Sequence, residues 1–239
     1  MIKRPTVKGK KSVKVKLHRL NWLEWVAVGF SFWFLVYPHP YDWLFGIVLA
    51  MPIIGLLLNG LSRPNLASLV SISFKDNEEE ADLADFIDMP AWVLLARVLI
   101  DFEYESFYSI LKVGSIAFVL SMILLFITHK MVDSKNTHMG LIYFTVIGNM
   151  ALYSYGAAYG INCVYDYSDA EVYHAKVIDK HISSGKHKWY YLKVEAWGTH
   201  RDAEDISVTR DQYKETQIGQ LVAIDYKEGL LGIPWYFIE

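Results

Sequence analysis

Long apolar stretches occupy the chain as far as residue 165, and short alternating runs follow them. A helix needs roughly 20 mostly apolar residues to cross a hydrocarbon layer about 30 Å thick. Segments at residues 20–37, 43–61, 107–128 and 140–165 approach or exceed that length, so we predict four transmembrane helices. Short polar turns join the first to the second and the third to the fourth. The helices are therefore expected to form two antiparallel hairpins, at residues 20–61 and 107–165.

Charge next to the apolar segments predicts their orientation. Residues 1–19 form a basic tail without any acid, whereas the turn at 38–42 has no Lys or Arg and the turn at 129–138 has only Lys130 and Lys135. Lys and Arg concentrate on the cytoplasmic side of membrane helices. We therefore expect a multi-pass protein of the bacterial inner membrane with a cytoplasmic amino terminus. Four crossings would leave the carboxy-terminal part cytoplasmic as well.

Residues 62–106 are predicted to form a cytoplasmic acidic loop and one further helix. The apolar part, residues 90–100, is too short to span a bilayer and contains Arg97. We interpret it as a helix in the membrane interface that begins at Pro90 and carries an ion pair between Arg97 and Asp101. A buried re-entrant segment is the alternative.

Residues 166–239 carry the alternation of apolar and polar positions that is typical of β-strands. A hairpin is predicted from strands near 173–177 and 190–196, joined by a turn at 183–186. Three shorter strands follow: one near Ile206, one near Val222, and a last one that starts after the turn at 228–229 and ends at residues 234–236. The fold class predicted for the chain is therefore α+β: a four-helix membrane bundle with an interfacial helix, followed by a small five-stranded, barrel-like domain.

The order of short motifs in this domain resembles a known family. The motifs are YHAKV at 173–177, YYL at 190–192, VTRDQY at 208–213, IGQLV at 218–222 and GLLG at 229–232. Their order resembles the bacterial domain-of-unknown-function family 3592, although Gln220 stands where an acidic residue is usual in the pattern. The resemblance implies a membrane-anchored protein with an extramembrane β domain, and it implies no activity.

The composition and the missing motifs argue against several classes of function. The chain is 53% hydrophobic with a net charge of −3, and Cys163 is its only cysteine, so an intrachain disulfide is excluded. The sequence contains no recognisable nucleophile motif and no Gly-rich phosphate loop. We therefore predict no catalytic residue and no cofactor. The basic tail leads directly into an apolar helix, which favours a membrane-flanking role for it over a nucleic-acid partner.

Polar side chains inside the apolar segments are the candidate functional residues, because such groups are costly in hydrocarbon and usually have a partner. They are Glu24, Asn59, Lys112 and Asn149. Glu24 and Lys112 lie near predicted cytoplasmic helix ends, where reaching water or pairing with each other would satisfy them. Asn149 is deeper, which favours a hydrogen bond between helices.

Gly156 and Gly160 have the Gly-x-x-x-Gly spacing that allows helices to pack closely. The contact is expected within the bundle, and a homo-oligomer is the alternative.

Two groups of residues contain side chains that can bind metal ions. The histidines of the last domain, His174, His181, His187 and His200, have no known ligand spacing, and the acidic run at 76–88 lacks the pattern of a calcium loop. We therefore expect His174 to face solvent, His181 and His187 to flank a hairpin turn, and the acidic run to be solvated, with no metal site.

Two functions follow from these features. The first is a non-catalytic membrane anchor that binds a protein partner through residues 166–239, as an accessory subunit or an immunity-type factor. The second is a small oligomeric transporter or channel, suggested by the intramembrane polar residues.

Overall fold

The computed structural model describes residues 21–61, 63–70, 85–133, 136–184 and 188–238 of an α+β protein. Its helices are α1 Asn21–Val36, α2 Tyr41–Gly60, α3 Asp85–Asp101, α4 Phe107–Thr128, α5 Met139–Val164 and α6 Arg210–Glu215. Its strands are β1 Glu103–Tyr104, β2 Glu171–Ile182, β3 Tyr190–Val194, β4 Glu204–Val208, β5 Leu221–Lys227 and β6 Trp235–Ile238. The predicted basic tail at 1–19 lies outside the described residues.

The predicted apolar segments are helical, and α4 has the predicted bounds. Within the described part of the chain, α2 and α4 are long and apolar enough to cross a membrane, as judged by length and composition. The described part of α1 provides the shorter apolar helix Glu24–Val36. The prediction of four crossings stays a prediction.

All six strands belong to one antiparallel sheet in the order β1-β6-β5-β2-β3-β4. Residues 171–176 of β2 pair with β5 and residues 177–182 pair with β3, and a register shift between Val177 and Asp179 interrupts the second pairing. A strand that changes partner at such an irregularity bends, which lets the sheet curl. Glu103 of β1 accepts a hydrogen bond from the Ser207 backbone N–H of β4, so the two edges approach and the barrel is nearly closed.

The interior of the barrel explains the alternation in the sequence. Successive side chains of a strand point to opposite faces, and here one face is buried. The buried apolar residues are Ala175, Val177, Leu192, Val194, Trp197, Ile206, Val222, Ile224, Tyr236 and Ile238. The predicted barrel-like domain is therefore present.

Residues 166–239 contain the five predicted strands, as β2 to β6, but the sheet has a sixth strand. The additional strand, β1, comes from outside residues 166–239 and pairs with β6. Two residues are too few to show an alternating pattern, so this strand left no signal in the sequence. The last strand begins at Trp235, close to where it was expected to end.

Two helices also differ from the prediction. Pro90 lies inside α3 and does not begin it. Proline removes one backbone hydrogen bond from a helix, and the burial of Phe86 and Ile87 in the turn before it favours the helical conformation there. The predicted pair between Arg97 and Asp101 is confirmed, at 2.5 Å.

Helix α6 was not predicted. Thr209 and Gln212 form a capping box at its amino terminus, and Lys180 of β2 donates hydrogen bonds to the carbonyls of Tyr213 and Thr216 at its other end. Six residues give little helical periodicity, so the capping residues carry most of the signal.

The chain separates into two compact units. The first consists of residues 1–94 and 118–154, and the second of residues 95–117 and 155–239. The first unit has its own apolar core, which includes Leu56, Leu66, Ile87, Leu125, Ile142 and Met150. The second contains the sheet together with the start of α4 and the end of α5, so its strands and these two helix ends form one body.

Candidate functional site

Asn59 belongs to a buried polar cluster at the end of α2. Its amide nitrogen donates to the Ser68 hydroxyl over 3.1 Å and lies 3.3 Å from His129 Nε2. The second ring nitrogen of His129 lies 2.8 Å from the Thr128 hydroxyl oxygen. Burial lowers the pKa of His129, which favours a neutral ring. These contacts connect the ends of α2 and α4, which is a structural role.

Asn149 donates a hydrogen bond of 2.5 Å to the Asp88 carboxylate of α3. One turn later Tyr153 donates to the Leu49 carbonyl of α2 over 2.8 Å, and Ser154 donates to the Ser121 hydroxyl of α4 over 3.1 Å. One polar stripe of α5 therefore bonds to three other helices. Asn149 has the helix-to-helix role that its depth in the apolar segment favours.

Glu24 is half-buried in the first part of α1, and Lys112 is exposed near the start of α4. An exposed lysine at this place can extend its ammonium group to water beyond the helix end. The predicted pairing of the two residues stays a prediction.

Close packing in the second unit depends on a glycine that the sequence analysis did not select. Gly156 and Gly160 are both buried, and Gly114 of α4 is the site of a very close approach between helices. A Cβ at Gly114 would lie 2.2 Å from the ring of Tyr155 on α5. The Tyr155 hydroxyl oxygen lies 3.0 Å from that of Ser115. The glycine thus permits the contact between α4 and α5.

Asn162 connects the end of α5 to the turn between β5 and β6. It is fully buried, and its amide oxygen accepts hydrogen bonds from the backbone N–H of Leu231 at 2.9 Å and of Ile233 at 3.2 Å. Its amide nitrogen donates to the Ile233 carbonyl over 2.8 Å, and its backbone carbonyl accepts from Leu230 over 3.1 Å. One side chain therefore serves three backbone groups of the turn. An amide in a charge-free apolar segment was the signal that could have revealed it.

Asp166 makes the next contact beyond α5. It accepts hydrogen bonds from the Trp235 indole over 3.0 Å and from the Ser168 hydroxyl over 2.6 Å. Burial by itself raises the pKa of this carboxyl. The hydrogen bonds from Ser168 and Trp235 and the charge of Lys227 together outweigh burial, so the pKa of Asp166 is lower than usual.

The segment before α4 connects the other helix end to the same turn. The Glu105 N–H donates to the Pro234 carbonyl over 3.2 Å, next to the pairing of β1 with β6. The Glu105 carboxylate accepts hydrogen bonds from Tyr226 at 2.8 Å and Thr199 at 3.0 Å. The beginning of α4 and the end of α5 therefore meet the sheet at the same end.

The histidines of the sheet are separate from one another. His174 is exposed, as expected. His181 stacks on Tyr191, His200 stacks on Trp197 and lies 3.0 Å from Glu204, and His187 lies outside the described residues. Across the part of the chain that the structure describes, no group of three His, Cys, Asp or Glu could hold a metal ion. Most of the acidic run at 76–88 is likewise outside the described residues, and Asp88 bonds to Asn149.

The helices expose a large apolar surface. On α4, Ile116, Leu120 and Ile127 are each about 60% exposed. Trp43 of α2 is 76% exposed, and Tyr37 before it is 62% exposed. Exposed aliphatic side chains in the middle of helices, with Trp and Tyr near the ends, are the pattern of a bilayer-facing surface.

Comparison with known proteins adds no relative: no family model, no curated protein and no solved structure matches this chain.

Proposed function

We propose that the chain is a non-catalytic protein of the bacterial inner membrane in which four helices anchor a cytoplasmic β domain that binds another protein. The observation that carries this proposal is the exposure of α4, of whose most apolar window only 17% is buried within the protein. Leaving a large aliphatic side chain in water forgoes about 1.5–3 kcal/mol of burial. A bilayer would cover this surface.

The β domain supports the role in binding. Asn162, Asp166 and Glu105 tie it to helix ends through hydrogen bonds, which would hold it in a fixed position beside the membrane. At the far end of β5, Ile218 is 62% and Leu221 is 64% exposed. Apolar side chains on an otherwise polar rim are typical of protein interfaces. We propose this end of β5 as the partner-binding side.

Photocrosslinking in native membranes tests the binding role. A photoreactive amino acid replaces Ile218 in the full-length protein, and a second variant carries it at the exposed His174 as the control. We expect one discrete crosslinked protein from position 218 and much less from position 174. Equal, diffuse crosslinking from both positions would contradict a specific partner at this end.

The alternative is a small oligomeric transporter or channel, and one observation favours it. Asp88 contributes a carboxylate to a contact between α3 and α5, where Asn149 bonds to it over 2.5 Å. Ionisable groups among membrane helices often serve transport. In proteoliposomes, ion flux that Asn149→Leu abolishes while the protein still folds would favour this function. Absence of flux from the natural protein supports the anchor.

A further inference from the structure

The end of the sheet that faces α4 and α5 carries exposed apolar side chains. In the turn between β5 and β6, Leu230 is 54% and Leu231 is 40% exposed. At the start of α4, Phe107 is 56% and Tyr108 is 83% exposed, and Tyr167 after α5 is 78% exposed. We call these five residues the apolar collar.

Hydrogen bonds fix the collar relative to the helix ends. Asn162, in the last turn of α5, accepts from the backbone N–H groups of Leu230 and Leu231. Glu105, two residues before α4, donates to the Pro234 carbonyl at the end of the same turn. The turn is therefore held level with the points where α4 begins and α5 ends.

These helix ends define a level in the bilayer. Helix α4 is long and apolar enough to span a membrane, so its first residues would lie where hydrocarbon meets headgroups. Tyrosines such as Tyr108 concentrate at that level. Two leucines held at the same level would be covered by lipid headgroups and the adjacent acyl chains.

We propose that the apolar collar rests in the phospholipid interface, so that the β domain binds the membrane surface directly as well as through its helices. The inference rests on the proposed membrane anchoring and deepens it. It gives the two ends of the sheet different partners: lipid at Leu230 and Leu231, and protein at Ile218 and Leu221. Strand β5 separates them by seven residues, or roughly 20 Å at about 3.3 Å per residue.

Depth-dependent quenching tests the proposal. The full-length protein carries Cys163→Ser, and a fluorescent maleimide is attached at Leu230→Cys, Ile218→Cys or Val119→Cys in separate samples. A parallel set keeps the buried Cys163, so that a fold disturbed by its replacement is detected. Each sample is reconstituted in phosphatidylcholine vesicles containing phosphatidylcholine with a nitroxide in its upper acyl chain. Iodide serves as the aqueous quencher.

We expect nitroxide lipid to quench the label at 230 at least about threefold more than the label at 218, with the reverse order for iodide. Equal quenching at 230 and 218 would overturn the proposal. The label at Val119, on the exposed side of α4, tests the membrane anchoring of the helices separately from the apolar collar. Lipid quenching at 119 but not at 230 refutes the collar alone, whereas no lipid quenching at 119 refutes the membrane anchoring and the collar together.

Discussion

At the scale of single residues, Asn162 connects the helical and sheet parts of the second unit. Replacing it with Leu keeps a similar volume but leaves the part-buried N–H of Leu231 and the buried N–H of Ile233 without their acceptor. Each unsatisfied group costs about 1–3 kcal/mol, so we expect Asn162→Leu to destabilise the protein by about 3 kcal/mol or more. Thermal unfolding in detergent, followed by circular dichroism, measures the loss. An unchanged midpoint would show that the turn does not depend on this amide.

Gly229 allows a second test of the same contact, with a matched control. Gly229 and Gly232 both have positive φ, at 77° and 72°, where any other L-residue is strained by about 1–2 kcal/mol. Only at Gly229 would an added Cβ collide, lying 2.4 Å from the amide of Asn162. We therefore expect Gly229→Ala to lower the unfolding midpoint clearly more than Gly232→Ala. Equal effects would mean that backbone strain alone matters.

Asp166 predicts a dependence of stability on pH. The pKa of its carboxyl is lower in the folded protein than in an unfolded chain, so the unfolded state binds the proton more readily. Its stabilising contribution is therefore complete above about pH 4 and is lost as the pH falls through the folded value. Asp166→Asn should be less stable than the natural protein at pH 7, and the difference should shrink in acid. A difference that stays constant down to acid pH would contradict this.

At the scale of secondary-structure elements, the contact between α4 and α5 depends on Gly114. In Gly114→Ala the new methyl group would displace Tyr155 from its place beside Ser115, and overpacking of this kind costs about 1–3 kcal/mol. Gly148 on α5 is the control, because an added Cβ there meets no atom within 4 Å. Unfolding in detergent should show a loss for Gly114→Ala and none for Gly148→Ala. Similar midpoints for the two would argue against close packing at Gly114.

Elements with a long, continuous signal could be predicted from the sequence. Helix α4 has its predicted bounds because its apolar run begins and ends abruptly, and β2 and β3 were found from their alternation. Strand β1 could not be predicted, since two residues show no period and their partner strand is more than a hundred positions away. The start of α3 before Pro90 could not be predicted either, because the burial of Phe86 and Ile87 in the folded protein favours the helix there.

The candidate functional residues could likewise be predicted only where the sequence nearby carries the signal. Asn149 was selected because an amide stands out in an apolar run, and it bonds between helices as that position favours. Asn162 has the same signal but makes more contacts, with a turn that follows it by about seventy residues in the sequence. Which of the two amides connects a helix to the β domain depends on the position of that distant turn in the fold. The spacing of residues in the sequence does not reveal this position. The resemblance to family 3592 stays a prediction.

At the scale of the whole molecule, the proposed anchoring role requires that the helices cross a membrane and that the β domain lies on the cytoplasmic side. Thr137, between α4 and α5, and Ile218, in the β domain, are both exposed and would lie on opposite sides of the bilayer. Because both side chains are exposed, their labelling reports topology and not folding.

Cysteine accessibility in intact cells is therefore the most direct test. Thr137→Cys and Ile218→Cys are introduced separately into the full-length protein without Cys163, and cells are treated with a membrane-impermeant maleimide before and after permeabilisation. We expect position 137 to react in intact cells and position 218 to react only after permeabilisation. Reaction of 218 in intact cells, or identical behaviour of both positions, would contradict the proposed anchoring role.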